Sequence, residues 1–106
     1  MLKFPSIDPD AVKVLAFDCT LELAPNEVLM GGPTVKSVTC TTDTDTNAQA
    51  IVLGPPSYDV TGRFILIPVG NLSTRVGNDY EFEVVSATNQ PPTVIVGRAL
   101  LEVRIA

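Results

Sequence analysis

The chain has 106 residues, with 7 Lys or Arg against 12 Asp or Glu, a formal net charge of −5 at pH 7 and no histidine. This length supports one hydrophobic core, and the absence of histidine excludes Ser–His and Cys–His nucleophilic pairs and nearly every catalytic zinc site, so we expect neither an enzyme nor a bound cofactor. The basic residues are scattered singly along the chain, which argues against nucleic acid or a membrane surface as the partner.

The N-terminal residues 1–10 contain Pro5 and Pro9 and show no hydrophobic periodicity. They predict an extended N-terminal arm in front of a single domain at residues 11–106. We expect the arm to pack along an edge of the domain or to reach a neighbouring subunit; its candidate interface residues are Phe4, Pro5, Ile7, Asp8, Pro9 and Asp10. The segment also lacks the features of a signal peptide, so we expect the protein to be made and kept in a cytoplasm.

The first half of the domain contains three predicted strands. Alternation that begins at residue 11 predicts a half-buried strand whose inner face carries Leu15, Phe17, Cys19 and Leu21. The sequence Gly31-Gly32-Pro33 predicts a break before a second strand at residues 34–42. A short third strand is predicted at residues 50–53, because the glycine and prolines that follow end it.

The second half of the domain has the clearest strand signals. Residues 62–69 are nearly all apolar, which is typical of a strand covered on both faces. Alternation at residues 80–85 and 98–105, on either side of an Asn-Gln-Pro-Pro turn, predicts two strands with one face in the core. Because no segment shows helical periodicity, we predict an all-β antiparallel sandwich of about seven strands.

Tyr80 follows a glycine-containing turn at the start of the penultimate predicted strand. This arrangement resembles the tyrosine corner of immunoglobulin-like and fibronectin type III domains, in which the tyrosine enters the core and its hydroxyl bonds to upstream backbone. The resemblance implies an immunoglobulin-like sandwich and gives Tyr80 a structural role. An ordinary core tyrosine near a strand start is the alternative.

The two cysteines, Cys19 and Cys40, both lie in predicted strands. They could face each other across the core as a disulfide, but without an export signal we favour two reduced cysteines that act as small hydrophobic side chains. Whether the two approach each other stays open from the sequence.

The segment 43–47 places oxygen-bearing side chains at alternating positions, as the first half of a calcium loop does. It lacks the glycine and the bidentate acid that such a loop requires, so we predict a polar turn stabilised by Asp and Thr side chains and no metal site.

Two carboxylate pairs are candidates for acid–base chemistry. Asp8 and Asp10 lie in the predicted arm, where exposure to water would not give the two carboxyls the different environments that acid–base chemistry needs, so we expect no catalysis from them. Glu81 and Glu83 alternate with core residues and are expected on an outer face, as surface charges or as cross-strand partners of Arg98 or Arg104.

Both ends of the chain resemble a family of short phage and prophage proteins. Residues 4–18 are similar to the start of that family, with the signature Asp8-Pro9-Asp10-Ala11-Val12 followed by a first strand. Residues 77–84 and 97–105 are similar to the family's last hairpin, which ends in alternating arginines and β-branched residues. Proteins of this family are described as fibre–tail adaptors or small virion proteins with an Ig-like domain.

The resemblance implies a non-enzymatic bacteriophage virion protein that joins the tail or neck to a fibre or spike, assembled in the host cytoplasm. Its partners would be other phage structural proteins of the tail, neck, fibre or capsid, in several symmetry-related copies, and not a small-molecule substrate. A capsid decoration or cement protein is the alternative. A ligand- or carbohydrate-binding Ig-like module is more distant, because Tyr58 is the one aromatic residue expected to be exposed for stacking.

Overall fold

Two β-sheets packed face to face make up the computed structural model, which describes residues 2–105. The strands are β1 Leu2–Lys3, β2 Lys13–Asp18, β3 Leu29–Cys40, β4 Ser57–Tyr58, β5 Phe64–Val69, β6 Asp79–Thr88 and β7 Val94–Glu102. The four-stranded sheet has the order β1-β7-β6-β3, and the three-stranded sheet has the order β2-β5-β4. The predicted all-β sandwich is therefore confirmed.

The strand order is that of an immunoglobulin-like sandwich. β2-β5-β4 corresponds to strands B-E-D of that fold, and β7-β6-β3 corresponds to strands G-F-C. β1 pairs in parallel with the edge of β7, whereas the other strand pairs are antiparallel. The first strand thus lies on the opposite sheet from its place in a constant-type domain, and no strand of residues 2–105 pairs with the outer edge of β2.

The core lies between the inner faces of the two sheets. In β6, alternation buries Tyr80, Phe82 and Val84, and the register places Phe82 opposite Ala99 of β7, which is also buried. The three-stranded sheet contributes the buried inner residues of β2 and β5, which are Leu15, Phe17, Ile65, Ile67 and Val69. Alternation gives β2, β5, β6 and β7 one inner face each, as predicted for β2, β6 and β7.

The N-terminal segment of residues 2–10 lies against its own domain. Leu2 and Lys3 pair with β7, and Ile7 bridges to Val103. Phe4 packs edge-on against Phe17 of β2 and Phe82 of β6, with ring centroids 6.2 and 5.8 Å apart. The segment therefore packs along the edge of β7 and closes one side of the core, in agreement with the first of the two expectations for it.

The predicted break at Gly31-Gly32-Pro33 lies inside β3. The register with β6 shifts between Met30 and Thr34, which marks a bulge, and both glycines have a left-handed backbone with φ of 91° and 88°. Glycine adopts this conformation at little cost, so the chain bends without leaving the sheet. The prediction of a break was wrong because glycine favours a β-bulge as well as a turn between two strands.

The predicted strand at residues 50–53 is also wrong. The 3-10 helix Ala48–Ile51 occupies its first half, and only Val52 forms a bridge, to Val69. A second 3-10 helix, Thr20–Glu22, ends the predicted first strand early and leaves Leu21 exposed. Among residues 2–105, no helix is long and apolar enough to cross a membrane.

Candidate functional site

A groove runs along one side of the sandwich, between the N-terminal segment and β2. One section, with a volume of about 350 Å³, has residues 4–7 on one wall and residues 13–16 on the other. Lys13 is the one ionisable side chain among the residues that line this section. Acid–base or nucleophilic chemistry needs at least two polar groups directed at one point, and this section does not bring two ionisable groups together.

The candidate interface residues of the N-terminal segment divide into two groups. Phe4 and Ile7 are buried in the core of their own chain, so they are not available to a neighbouring subunit. Pro5 and Asp10 are exposed, whereas Asp8 and Pro9 are half-buried. The Asp8 carboxylate accepts a hydrogen bond from the Asp10 backbone N–H at 2.9 Å, so it stabilises a local turn.

Tyr80 is the centre of a polar cluster at one end of β6. Its hydroxyl donates to Asp45 Oδ2 at 2.7 Å and accepts from the Asn78 side-chain amide at 3.2 Å. Arg75 Nε also donates to Asp45 Oδ2, at 2.8 Å, and the Asn47 backbone N–H donates to Asp45 Oδ1 at 3.0 Å. The tyrosine corner prediction is corrected in one respect: the upstream partner of the hydroxyl is a carboxylate and not the backbone.

The cluster shifts the pKa values of its members in opposite directions. Hydrogen bonds from Tyr80, Arg75 and the Asn47 backbone lower the pKa of Asp45 to about 2, from an ordinary value of 3.8. Burial, with the bond to Asp45, raises the pKa of Tyr80 to about 12. The ionised Asp45 and neutral Tyr80 persist over a wide pH range, which suits a structural tie and not a proton donor or acceptor.

A buried carboxylate, Glu27, joins the loop after the 3-10 helix Thr20–Glu22 to β6. Glu27 Oε1 accepts from the Ala24 backbone N–H at 2.9 Å, and Glu27 Oε2 accepts from the Thr88 hydroxyl at 2.7 Å. These bonds lower the pKa of Glu27, with a smaller contribution from Arg63. Glu27 is therefore an ionised loop anchor whose oxygens are already occupied by its own chain.

Neither a metal site nor an aromatic platform forms from the predicted residues. No group of His, Cys, Asp or Glu in residues 2–105 could hold a metal ion. Tyr58 is half-buried, and its hydroxyl lies 2.7 Å from Ser86 Oγ across the two sheets, so it does not present a free ring. Cys19 and Cys40 are free cysteines and form no disulfide.

The outer side of the four-stranded sheet, here called the charged face, carries a network of ion pairs. Arg98 of β7 lies 3.4 Å from Glu83 and 4.0 Å from Glu81 of β6, which confirms the predicted cross-strand partner. Lys3 pairs with Glu102 at 2.7 Å. Near the β6–β7 turn this face is apolar, with Val94 and Val96 exposed.

The outer side of the three-stranded sheet, here called the apolar face, is different. Its strand positions are mostly apolar, with Asp18 at the end of β2 and Ser57 in β4 as the polar exceptions. The register sets Val14 beside Pro68, Ala16 beside Leu66 and Asp18 beside Phe64. Val12 and Leu53 extend it, since both flank the position of Gly70. None of the ion pairs in the described part of the chain involves these residues.

The apolar face was not singled out from the sequence, although its signal was present. The apolar run of β5 predicted a strand covered on both faces; the inner residues are buried against the opposite sheet, whereas the outer residues are half-buried. The chain matches no protein-family model, no curated protein and no solved structure with which it was compared. The candidate functional site is therefore the apolar face, on geometry alone.

Proposed function

We propose that this protein is a non-enzymatic structural component of a bacteriophage virion, an adaptor that joins the tail or neck to a fibre or spike. The observation that carries this proposal is the apolar face, a sheet surface with exposed apolar side chains such as an assembly protein buries against a neighbour. The similarity of residues 4–18, 77–84 and 97–105 to short phage adaptor proteins supplies the virion context.

The arrangement of polar groups supports a non-enzymatic role. Asp45, Tyr80 and Glu27 have shifted pKa values, and each is hydrogen-bonded to its own chain. The sequence contains no histidine that could act as a base near pH 7. Assembly is consequently the better account of this fold, because binding between rigid surfaces needs no reactive group.

The experiment is immunogold electron microscopy and quantitative mass spectrometry of phage particles released from cells that express the chain from its native genome. The adaptor proposal predicts a fixed copy number per particle and gold label at the joint between tail and fibre. Label spread over the capsid would overturn the adaptor role in favour of a decoration or cement protein. Absence of the chain from purified particles would overturn the virion assignment altogether.

A further inference from the structure

The outer edge of β2 presents backbone groups that its own sheet does not use. No strand of residues 2–105 pairs with this edge. On the other side of the strand, the Cys19 backbone N–H donates to the Arg63 carbonyl at 3.0 Å, which continues the antiparallel ladder between β2 and β5. Backbone groups in such a ladder point alternately to the two sides, so the odd-numbered residues of β2 bond to β5. The N–H and C=O groups of Val14 and Ala16 therefore point away from β5, to the outer edge.

This edge borders the groove between the N-terminal segment and β2. The section lined by residues 4–7 and 13–16 continues into a second section, because Phe4 and Ala16 line both. The second section has a volume of about 90 Å³ and reaches Asp18, the last residue of β2. The groove thus follows β2 over its whole length, beside its unused backbone groups.

The other three edge strands of residues 2–105 are protected against pairing. β1 and β4 have two residues each, with Pro5 and Pro56 nearby. β3 is longer, but two register shifts interrupt its ladder, and it contains Pro33 and Lys36. Short length, bulges, proline and lysine keep an edge strand from pairing with other chains. β2 has six residues in continuous register with β5, so it is the edge strand best suited to accept a further strand.

We propose that the groove beside β2 binds an extended segment of another protein, which adds to the three-stranded sheet as an antiparallel strand next to β2. A second extended backbone matches the alternating N–H and C=O groups of a strand edge, and this match supplies the affinity when a peptide adds to a sheet. Antiparallel pairing is favoured because it is slightly more stable per residue than parallel pairing. This inference goes beyond the proposed function and does not depend on it.

Charges at the two ends of β2 define the chemistry of the segment. Lys13 is exposed at one end and Asp18 at the other, and Glu22 lines the continuation of the groove past Asp18. The start of an antiparallel segment lies beside Asp18, and its end lies beside Lys13. We expect a basic residue near the start and an acidic residue near the end, five positions apart as Lys13 and Asp18 are. Between them, apolar residues at alternate positions would pack against the apolar side chains of the groove.

The first experiment measures amide hydrogen exchange of the full chain by NMR at several protein concentrations. The amides of Val14 and Ala16 should exchange fast, whereas those of Leu15 and Phe17, which bond to β5, should be protected. Protection of Val14 and Ala16 at every concentration would overturn the proposal, because the chain itself would then cover the edge. Protection that grows with concentration would overturn it in favour of a second copy of the chain.

The second experiment selects binders of the full chain from a displayed library of random peptides of about ten residues, the upper length of ordinary strands. A synthetic peptide of the enriched sequence should slow exchange at Val14 and Ala16 at least about tenfold. Ala16→Pro removes an N–H that faces the groove and none that bonds to β5, so it should weaken binding of this peptide at least about tenfold. Ala16→Val is the matched control, because it adds a side chain at the same position, keeps the N–H and should bind as the wild type does.

The selection also tests the expected charges. Lys13→Glu should change the residue preferred at the end of the enriched peptides from acidic to basic, and an unchanged preference would contradict the charge assignment. The proposal is overturned if no alternating sequence is enriched, or if the enriched peptide binds Ala16→Pro as tightly as the wild type. Circular dichroism establishes that each variant is folded, and Val14→Pro tests the same edge if Ala16→Pro is not.

Discussion

On the outer side of the four-stranded sheet, Arg98 lies between Glu81 and Glu83, whereas at the middle of the outer side of the three-stranded sheet Ala16 lies beside Leu66. Both sheets alternate inner and outer residues in the same way, and both bury their inner residues in one core. The difference is confined to positions that the fold itself does not constrain. The outer residues are therefore the positions at which the two sheets differ in chemistry.

The largest loss of stability is expected from removing the Phe4 ring, which contacts both sheets. Phe4→Ala deletes the edge contacts to Phe17 of one sheet and Phe82 of the other, and we expect the free energy of unfolding to fall by about 3–5 kcal/mol. Urea unfolding followed by circular dichroism measures it.

The control for this change is Leu2→Ala, at the exposed start of the same segment, where we expect a loss of about 1 kcal/mol or less. Equal losses for the two variants would mean that the N-terminal segment does not help to close the core.

The polar cluster at the end of β6 contributes to stability in a way that depends on pH. Tyr80→Phe removes the hydrogen bond to the ionised Asp45, and we expect a loss of about 1.5–3 kcal/mol near pH 7. The pKa of Asp45 is lowered by folding, so its contribution is present above its ordinary value of 3.8 and is lost as the pH falls through about 2.

The difference in unfolding free energy between wild type and Tyr80→Phe should thus shrink in acid, as measured by urea titrations at a series of pH values. A difference that stays constant from neutral pH down to pH 2 would contradict the assignment of Asp45 as the partner.

The smallest effect is expected on the charged face. Arg98→Ala removes two exposed ion pairs, and we expect the free energy of unfolding to change by about 1 kcal/mol or less, with most of the change absent at high salt. Lys36→Ala is the control, because Lys36 is an exposed cation on the same sheet without an ion pair in the described residues. A loss above about 2 kcal/mol for Arg98→Ala would show that these ion pairs stabilise the fold and do not merely keep the face soluble.

The sequence predicted the parts of the fold that depend on local alternation. The inner faces of β2, β6 and β7 could be identified because successive side chains of a strand point to opposite sides. It did not predict β4, whose two residues are too few to show a period, or the bulge at Gly31 and Gly32. At a bulge the chain keeps pairing with the neighbouring strand on both sides, whereas at a turn it does not. That pairing involves residues far away in the sequence.

The candidate site could be predicted only in outline. The apolar run of β5 indicated that both faces of the strand are covered. The sequence could not tell which face is buried by other segments of the chain and which is not. Likewise, Asp45 was expected in a turn, and nothing local placed it against Tyr80, 35 residues away. Contacts of this kind depend on how loops return to the sheets after the core has formed.

The sequence by itself determined an all-β chain with one core and without histidine chemistry, because composition and a period of two residues are properties of the chain alone. The tertiary structure decided that Phe4 and Ile7 belong to the core and that apolar residues on the outer side of the three-stranded sheet remain partly exposed to solvent. The physical reason is that burial is settled by which surfaces remain after the two sheets have packed, and those surfaces come from segments far apart in the chain.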